Sequence, residues 1–231
     1  MSSIDLSIVL SGEFGGWLLH GLLLSIELTL VTLVLAFPLS TVVALLRLSP
    51  LAPLRALGFA FVEGIRNVPL LVHLLFWYFG APQLLPESAR NWLYEHNAEA
   101  VCAVIALTLY TAAFMAEDVR SGIRSIPATQ LEAGRALGFS YLKSMRLVVL
   151  PQAVRVTVPP LISQALSLWK NTSIATVIGT AELMYQAQRV ETATFRGVET
   201  FAVTTVAYLA VSCVITTIGA LYQRRFPVRT T

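Results

Sequence analysis

Residues Leu131–Pro151 read LEAGRALGFSYLKSMRLVVLP, and this stretch decides how the rest of the chain is organised. Glu132, Arg135, Lys143 and Arg146 fall close together here, with Gly134 and Gly138 between them, while long apolar runs lie on either side. Ser125 and Pro127 predict a helix start, because a serine oxygen accepts from free amides and proline is tolerated in a first turn. Ala128–Leu137 are good helix formers, and Gly138 predicts a left-handed end. Ser140 then caps a second helix, expected to stop before Pro151 because the residue ahead of proline avoids the α region. The pattern is helix, glycine bend, helix. Ala133, Ala136 and Leu137 share one face, and Glu132 and Arg135 occupy another. Such an element either rests on anionic lipid or docks on a protein. Glu132 favours docking, since a carboxylate gains nothing against an anionic surface.

The flanking sequence belongs in a bilayer. Hydrophobic residues make up 56% of the 231, charged residues 13%, and mean hydropathy is +0.72, too apolar for an ordinary soluble domain. Five runs are long enough to cross a hydrocarbon core of about 30 Å: 17–46, 57–79, 98–118, 156–180 and 200–223. Alternating strands of about ten residues, which a β-barrel needs, are missing from the pattern. The expectation is an all-α, polytopic membrane protein, one domain over 1–231, with the loop at about 120–155 as its largest polar insert. The opening segment has Asp5 and Glu13 but no Lys or Arg, unlike a secretory signal, and is expected to be retained. Cys102 and Cys213 lie inside apolar spans and are expected to be buried thiols.

Charge placement gives an orientation. With the first span running outside to inside, one face receives Arg47, Arg55, Arg120, Arg124, Arg135, Lys143, Arg146, Arg155, Arg224, Arg225 and Arg229. The other keeps Arg90, Arg189 and Arg196 among eight carboxylates that include Glu99 and Glu182. This is the positive-inside pattern, with the N-terminus outside and the C-terminus and polar loop in the cytoplasm. The net charge of +3 is explained by that sorting and does not suggest nucleic acid.

Glu132-Ala133-Gly134, three residues, Gly138, nine residues, then Val148-Val149-Leu150-Pro151 resembles the EAA loop of ABC importer permeases. Gly134 replaces an alanine of that pattern and Val148 an isoleucine. The likeness extends to Arg66-Asn67-Val68-Pro69-Leu70-Leu71-Val72, Trp77-Tyr78-Phe79-Gly80, Leu150-Pro151-Gln152-Ala153 and Lys170-Asn171-Thr172-Ser173, which are similar to polar amino-acid permeases of the histidine/glutamine/glutamate type. It implies the type I importer permease fold, with five membrane helices and a cytoplasmic coupling helix. Glu132, Ala133, Gly134, Arg135, Gly138, Leu150 and Pro151 would form the joint that seats on an ATPase. Implied partners are ABC ATPase subunits, a second permease subunit identical or homologous, an extracytoplasmic amino-acid-binding protein, and an amino-acid substrate in a bacterial inner membrane. ATP and Mg would be held by the ATPase, with no cofactor on this chain.

The chain's own residues agree with a non-catalytic part. Neither Lys143 nor Lys170 follows the glycines of a P-loop, HExxH and GxSxG do not occur, and His20, His73 and His96 stand alone. His73 reads as a satisfied packing residue. An ionisable group inside a bilayer faces a partner or a wet cavity, so Glu27, Glu63, Arg66 and Lys170 are singled out. Glu63 and Arg66, three apart, can pair with each other. Alternatively, Pro69 loosens the helix just beyond Arg66-Asn67, where an arginine can hold a carboxylate. Lys170 lies about 21 Å of helix beyond Val156, too deep to escape easily. Arg66, Asn67, Lys170, Asn171, Thr172, Ser173 and Glu27 are the candidate substrate pathway. Asn67 and Asn171 stand where the family commonly carries glycine and aspartate, which resembles glutamate/aspartate permeases. Glutamine or a basic amino acid is the alternative cargo, and an ion-coupled carrier the alternative class.

Overall fold

The computed structural model describes residues 5–227, which are mostly helical, with no strand among them. Residues 1–4 of the opening segment and Arg229 of the basic C-terminus lie outside the described residues. After a short turn, α1 (Ser7–Leu10), come α2 (Gly12–Leu48), α3 (Ala52–Arg66), α4 (Leu70–Leu75), α5 (Glu87–Glu95) and α6 (Ala98–Arg124). They are followed by α7 (Ala128–Ala136), α8 (Tyr141–Ser144), α9 (Leu150–Asn171), α10 (Leu183–Thr194) and α11 (Gly197–Arg225). Four continuous segments are long and apolar enough to cross a membrane: Gly12–Leu48, Ala98–Arg124, Tyr141–Ile178 and Gly197–Arg225. A fifth crossing requires α3 and Leu70–Leu84 to count together across a 99° bend.

α6 is the centre, with α2, α9 and α3 packed around it. Its Ala103, Ala106, Ala112, Ala113 and Ala116 are fully buried, and such small side chains let neighbouring backbones approach where burial from water offers no drive. Leu28 of α2, Leu74 of α4 and Leu168 of α9 complete the largest apolar cluster. α11 lies at the periphery and leaves most of its apolar surface open. At 37 residues, α2 runs for about 55 Å, longer than the hydrocarbon is thick, so it tilts or projects.

Prolines account for two departures from the expected helices. The run 57–79 is not one helix: α3 stops at Arg66, Asn67 closes it with φ −83° and ψ 0°, and Pro69 opens α4 with ψ 142°. Pro69 has no amide to offer and holds Val68 out of the α region. The carbonyl that an amide at 69 would have reached, Ile65 O, is met by His73 Nε2 at 3.0 Å, and Asn67 Nδ2 donates to Glu63 O at 2.9 Å. By contrast, helix does not stop before Pro151. It continues from α8 through a π turn at Met145–Val149 into α9, where Leu150 N–H reaches back five residues to Met145 O. The wider turn makes room for the ring of Pro151 just beyond it, inside a helix that does not break.

Two further expectations are corrected. Ser125 does not begin the loop helix; its Oγ donates to Gly122 O at 2.8 Å and closes α6 instead, leaving Pro127 ahead of α7. Cys102 is buried, but Cys213 is exposed on the outer side of α11.

Candidate functional site

Four constellations carry polar chemistry among the described residues: the loop after α6, a cavity between α6 and α9, an ion cluster joining α2, α3 and α6, and a buried carboxylate beside α10.

In the loop, α7 ends at Gly138, whose φ of +80° only glycine adopts freely. Ser140 Oγ accepts from Lys143 N at 3.3 Å and starts α8. Gly134 is buried against Ser144. Glu132, Ala133, Arg135, Ala136 and Leu137 point outward, and Glu132 pairs with no cation among the described residues. The face holding Ala133, Ala136 and Leu137 is therefore open, not packed. Leu137 and Leu142 are each 75% exposed, and Lys143 Nζ lies 4.6 Å from the Phe139 ring. Leu150 and Pro151 are exposed at the foot of α9.

The cavity, about 360 Å³, is lined by Tyr110, Thr111, Phe114, Gln164, Ser167, Leu168 and Asn171. Its walls are hydroxyls, amides and aromatic rings. The broken second span leans on it from one side: the Arg66 guanidinium stands 4.8 Å from the Phe114 centroid, and the His73 ring 6.0 Å from Tyr110. His73 Nε2 also meets Ile65 O at 3.0 Å, so the histidine is satisfied within the fold. Gln164 Nε2 donates to Asp118 Oδ2 at 2.8 Å, which holds a carboxylate next to the cavity.

Of the seven candidate pathway residues, Asn171 lines this cavity, and Arg66 reaches it only through its contact with Phe114. Asn67 turns away to Glu63, with Nδ2 3.1 Å from its carboxylate. Thr172 is buried and donates to Trp169 O at 2.8 Å, Ser173 donates to Lys170 O at 2.7 Å, and Lys170 is exposed outside the cavity lining. Glu27 lines a separate groove between α2 and α6, with apolar Leu24, Val31, Val101 and Val104 around it.

Glu63 does not pair with Arg66. Arg47 Nη1, at the end of α2, lies 3.9 Å from Glu63 and 2.9 Å from Glu117 Oε1, the latter without hydrogen-bond alignment. Arg120 Nε and Nη2 grip Glu117 through bonds of 2.7 to 3.1 Å. This cluster joins α2, α3 and α6. Sequence reading used Arg47 and Arg120 only as markers of the inner face; the spacing Glu117-x-x-Arg120 was the available signal.

Glu182 was read only as an outside charge, yet it is fully buried. It caps α10 by accepting from Met184 N at 3.0 Å and Tyr185 N at 2.9 Å, and it also accepts from Tyr208 OH at 2.9 Å and Ser25 Oγ at 3.2 Å. Burial pushes its carboxyl above the usual range, against the pull of those four bonds. Gly21 makes the seam possible, since a β-carbon there would stand 2.9 Å from Leu183 Cα.

Comparison with known proteins matches residues 36–228 to the binding-protein-dependent transport system inner membrane component family. The probable glutamine ABC transporter permease protein GlnM of Bacillus subtilis is 38% identical over 206 residues, 89% of each chain. The glutamate/aspartate import permease protein GltJ of Escherichia coli K12 is 34% identical over 214 residues, 91% of this chain and 87% of that one. Among solved structures, a chain of an amino acid ABC transporter with histidines superposes with a TM-score of 0.85 at 28% identity, covering 97% of this chain and 100% of its own. The open loop, the cavity between central helices and these relatives agree, and the chain belongs to the binding-protein-dependent transport system inner membrane component family.

Proposed function

We propose that this chain is the membrane-spanning subunit of an ATP-driven, binding-protein-dependent importer for an acidic amino acid, glutamate or aspartate. The single observation that carries the cargo assignment is Arg66. Its guanidinium lies 4.8 Å from the ring of Phe114, and Phe114 lines a cavity whose other walls are uncharged, Asn171 among them. A planar cation at the rim of such a lining suits a substrate with one carboxylate more than a neutral amino acid. The likeness to the glutamate/aspartate permease supports this reading. Glutamine is the second reading, favoured by the amide of Gln164 and by the likeness to the probable glutamine permease. Family membership argues against an ion-coupled carrier.

The N-terminus lies outside and the C-terminus in the cytoplasm, which puts the loop at 120–155 on the inner side. There α7 is the coupling helix: Glu132 meets a cation of the ATPase, and Ala133 permits close approach. Leu137 and Leu142 give apolar contact, while Gly138, Leu150 and Pro151 set how the joint meets α9. Hydrolysis of ATP, with its Mg, belongs to the ATPase subunits, and a second permease subunit completes the pathway. Uptake of labelled glutamate under competition tests the cargo. Excess glutamate and aspartate are expected to abolish it. Block by arginine alone would overturn the acidic assignment, and block by glutamine but not aspartate selects the second reading.

A further inference from the structure

α7 lies along the returning leg of the loop and touches it at two levels. Near its C-terminal end Gly134 packs on Ser144, the last residue of α8. A β-carbon at 134 would stand 2.7 Å from Ser144 Oγ and 3.0 Å from Ser144 Cβ. The hydroxyl can rotate away, but the β-carbon cannot, so any larger residue at 134 pushes the two helices apart. Ser144 is fully buried although Leu142 is exposed, which marks how close this contact is. At the start of α7, Gln130 Oε1 accepts from Gln152 Nε2 at 3.2 Å, and the same amide nitrogen donates to Val148 O at 2.8 Å.

Between these two contacts lies the π turn Met145–Val149 with Pro151 just beyond it. Non-α turns and prolines are where long helices bend. One level higher, Gly122 of α6 and Thr157 of α9 meet so closely that a β-carbon at 122 would overlap the Thr157 hydroxyl. The legs of the loop are thus pinned to each other above the π turn, and α7 spans it from below.

We propose that α7 is a splint across the π turn, fastened by Gly134 to Ser144 and by Gln130 to Gln152, so that a displacement applied at Glu132 reaches α9 without being absorbed at Met145–Val149. Gly134 and Gln130 are then positioning residues for coupling, and the glycine that departs from the EAA pattern is the residue this contact demands. The proposal rests on the coupling role given to α7 above.

The test uses the complete transporter in lipid nanodiscs, with spin labels at Thr129→Cys and Val154→Cys after removal of the native cysteines. Two quantities are read: the width of the inter-label distance distribution, and ATPase activity stimulated by the cognate binding protein with L-glutamate. Gly134→Ala is expected to widen the distribution and lower stimulation about fivefold, and Ser144→Gly on that background to restore both. A narrow distribution with full stimulation in Gly134→Ala overturns the splint. Should Gly134→Ala fail to accumulate, Gln130→Ala replaces it, with widening and about a twofold loss expected; no change in either quantity overturns the proposal. Widening with stimulation intact also overturns the proposal, since a loosened α7 would then transmit as well as a fastened one. Glu132→Ala separates the two ideas, since it is expected to lose stimulation while the distribution stays narrow.

Discussion

The seam around Glu182 and the loop from α7 to α8 are both polar interruptions of an apolar chain, yet they are finished in opposite ways. Glu182 is 0% exposed and receives four donors from α2, α10 and α11. The loop leaves Leu137 and Leu142 each 75% exposed and gives Glu132 no cation among the described residues. A buried carboxylate is tolerable only when its partners are complete. The seam is complete within one chain. The loop is left open.

The contrast can be broken most sharply at the seam. Glu182→Ala strands Ser25, Tyr208 and two amides of α10, and is expected to cost about 3 kcal/mol or more, read as a lower melting temperature of the purified protein. A shift of less than about 2 °C would show that the network is not holding the helices. Glu132→Ala is the converse: melting unchanged, binding-protein-stimulated ATPase activity down about tenfold. Loss of folded protein instead would make Glu132 structural and erase the distinction. Between the two regions, Arg66→Ala is expected to lower uptake about fivefold with the complex still assembled; full uptake would return Arg66 to a packing role over Phe114. Smallest is Leu142→Ser, expected to move stability by no more than about 0.5 kcal/mol while weakening association with the ATPase about threefold in a pull-down titration. Unaltered association would take this leucine out of the interface.

The apolar runs made the helices legible, because membrane helices must satisfy their backbone internally and so advertise their length. Local rules also placed Gly138 and Ser140 at the bend. What failed was every inference that needed a neighbour distant in sequence. Glu63 was matched with Arg66 three residues on, whereas Arg47 of α2 reaches it across the fold. Glu182 was invisible because Ser25 lies 157 residues away and Tyr208 26 residues away. Proline was half legible: at Pro69 it broke the helix, but at Pro151 a π turn accommodated the same ring. Of the pathway residues, Asn171 lines the cavity, while Arg66 at the end of α3 touches its wall at Phe114 of α6. Tyr110, Gln164 and Ser167 completed the lining without any motif to announce them.

The central claim is that α7 faces a cytoplasmic ATPase, and cysteine chemistry addresses it directly. Ala133→Cys, in a chain carrying Cys102→Ala and Cys213→Ser, is expected to resist a membrane-impermeant maleimide added to intact cells and to cross-link to the ATPase subunit in inverted vesicles. Labelling from outside the cell, or protection in the inverted vesicles whether or not the ATPase is present, would contradict the account.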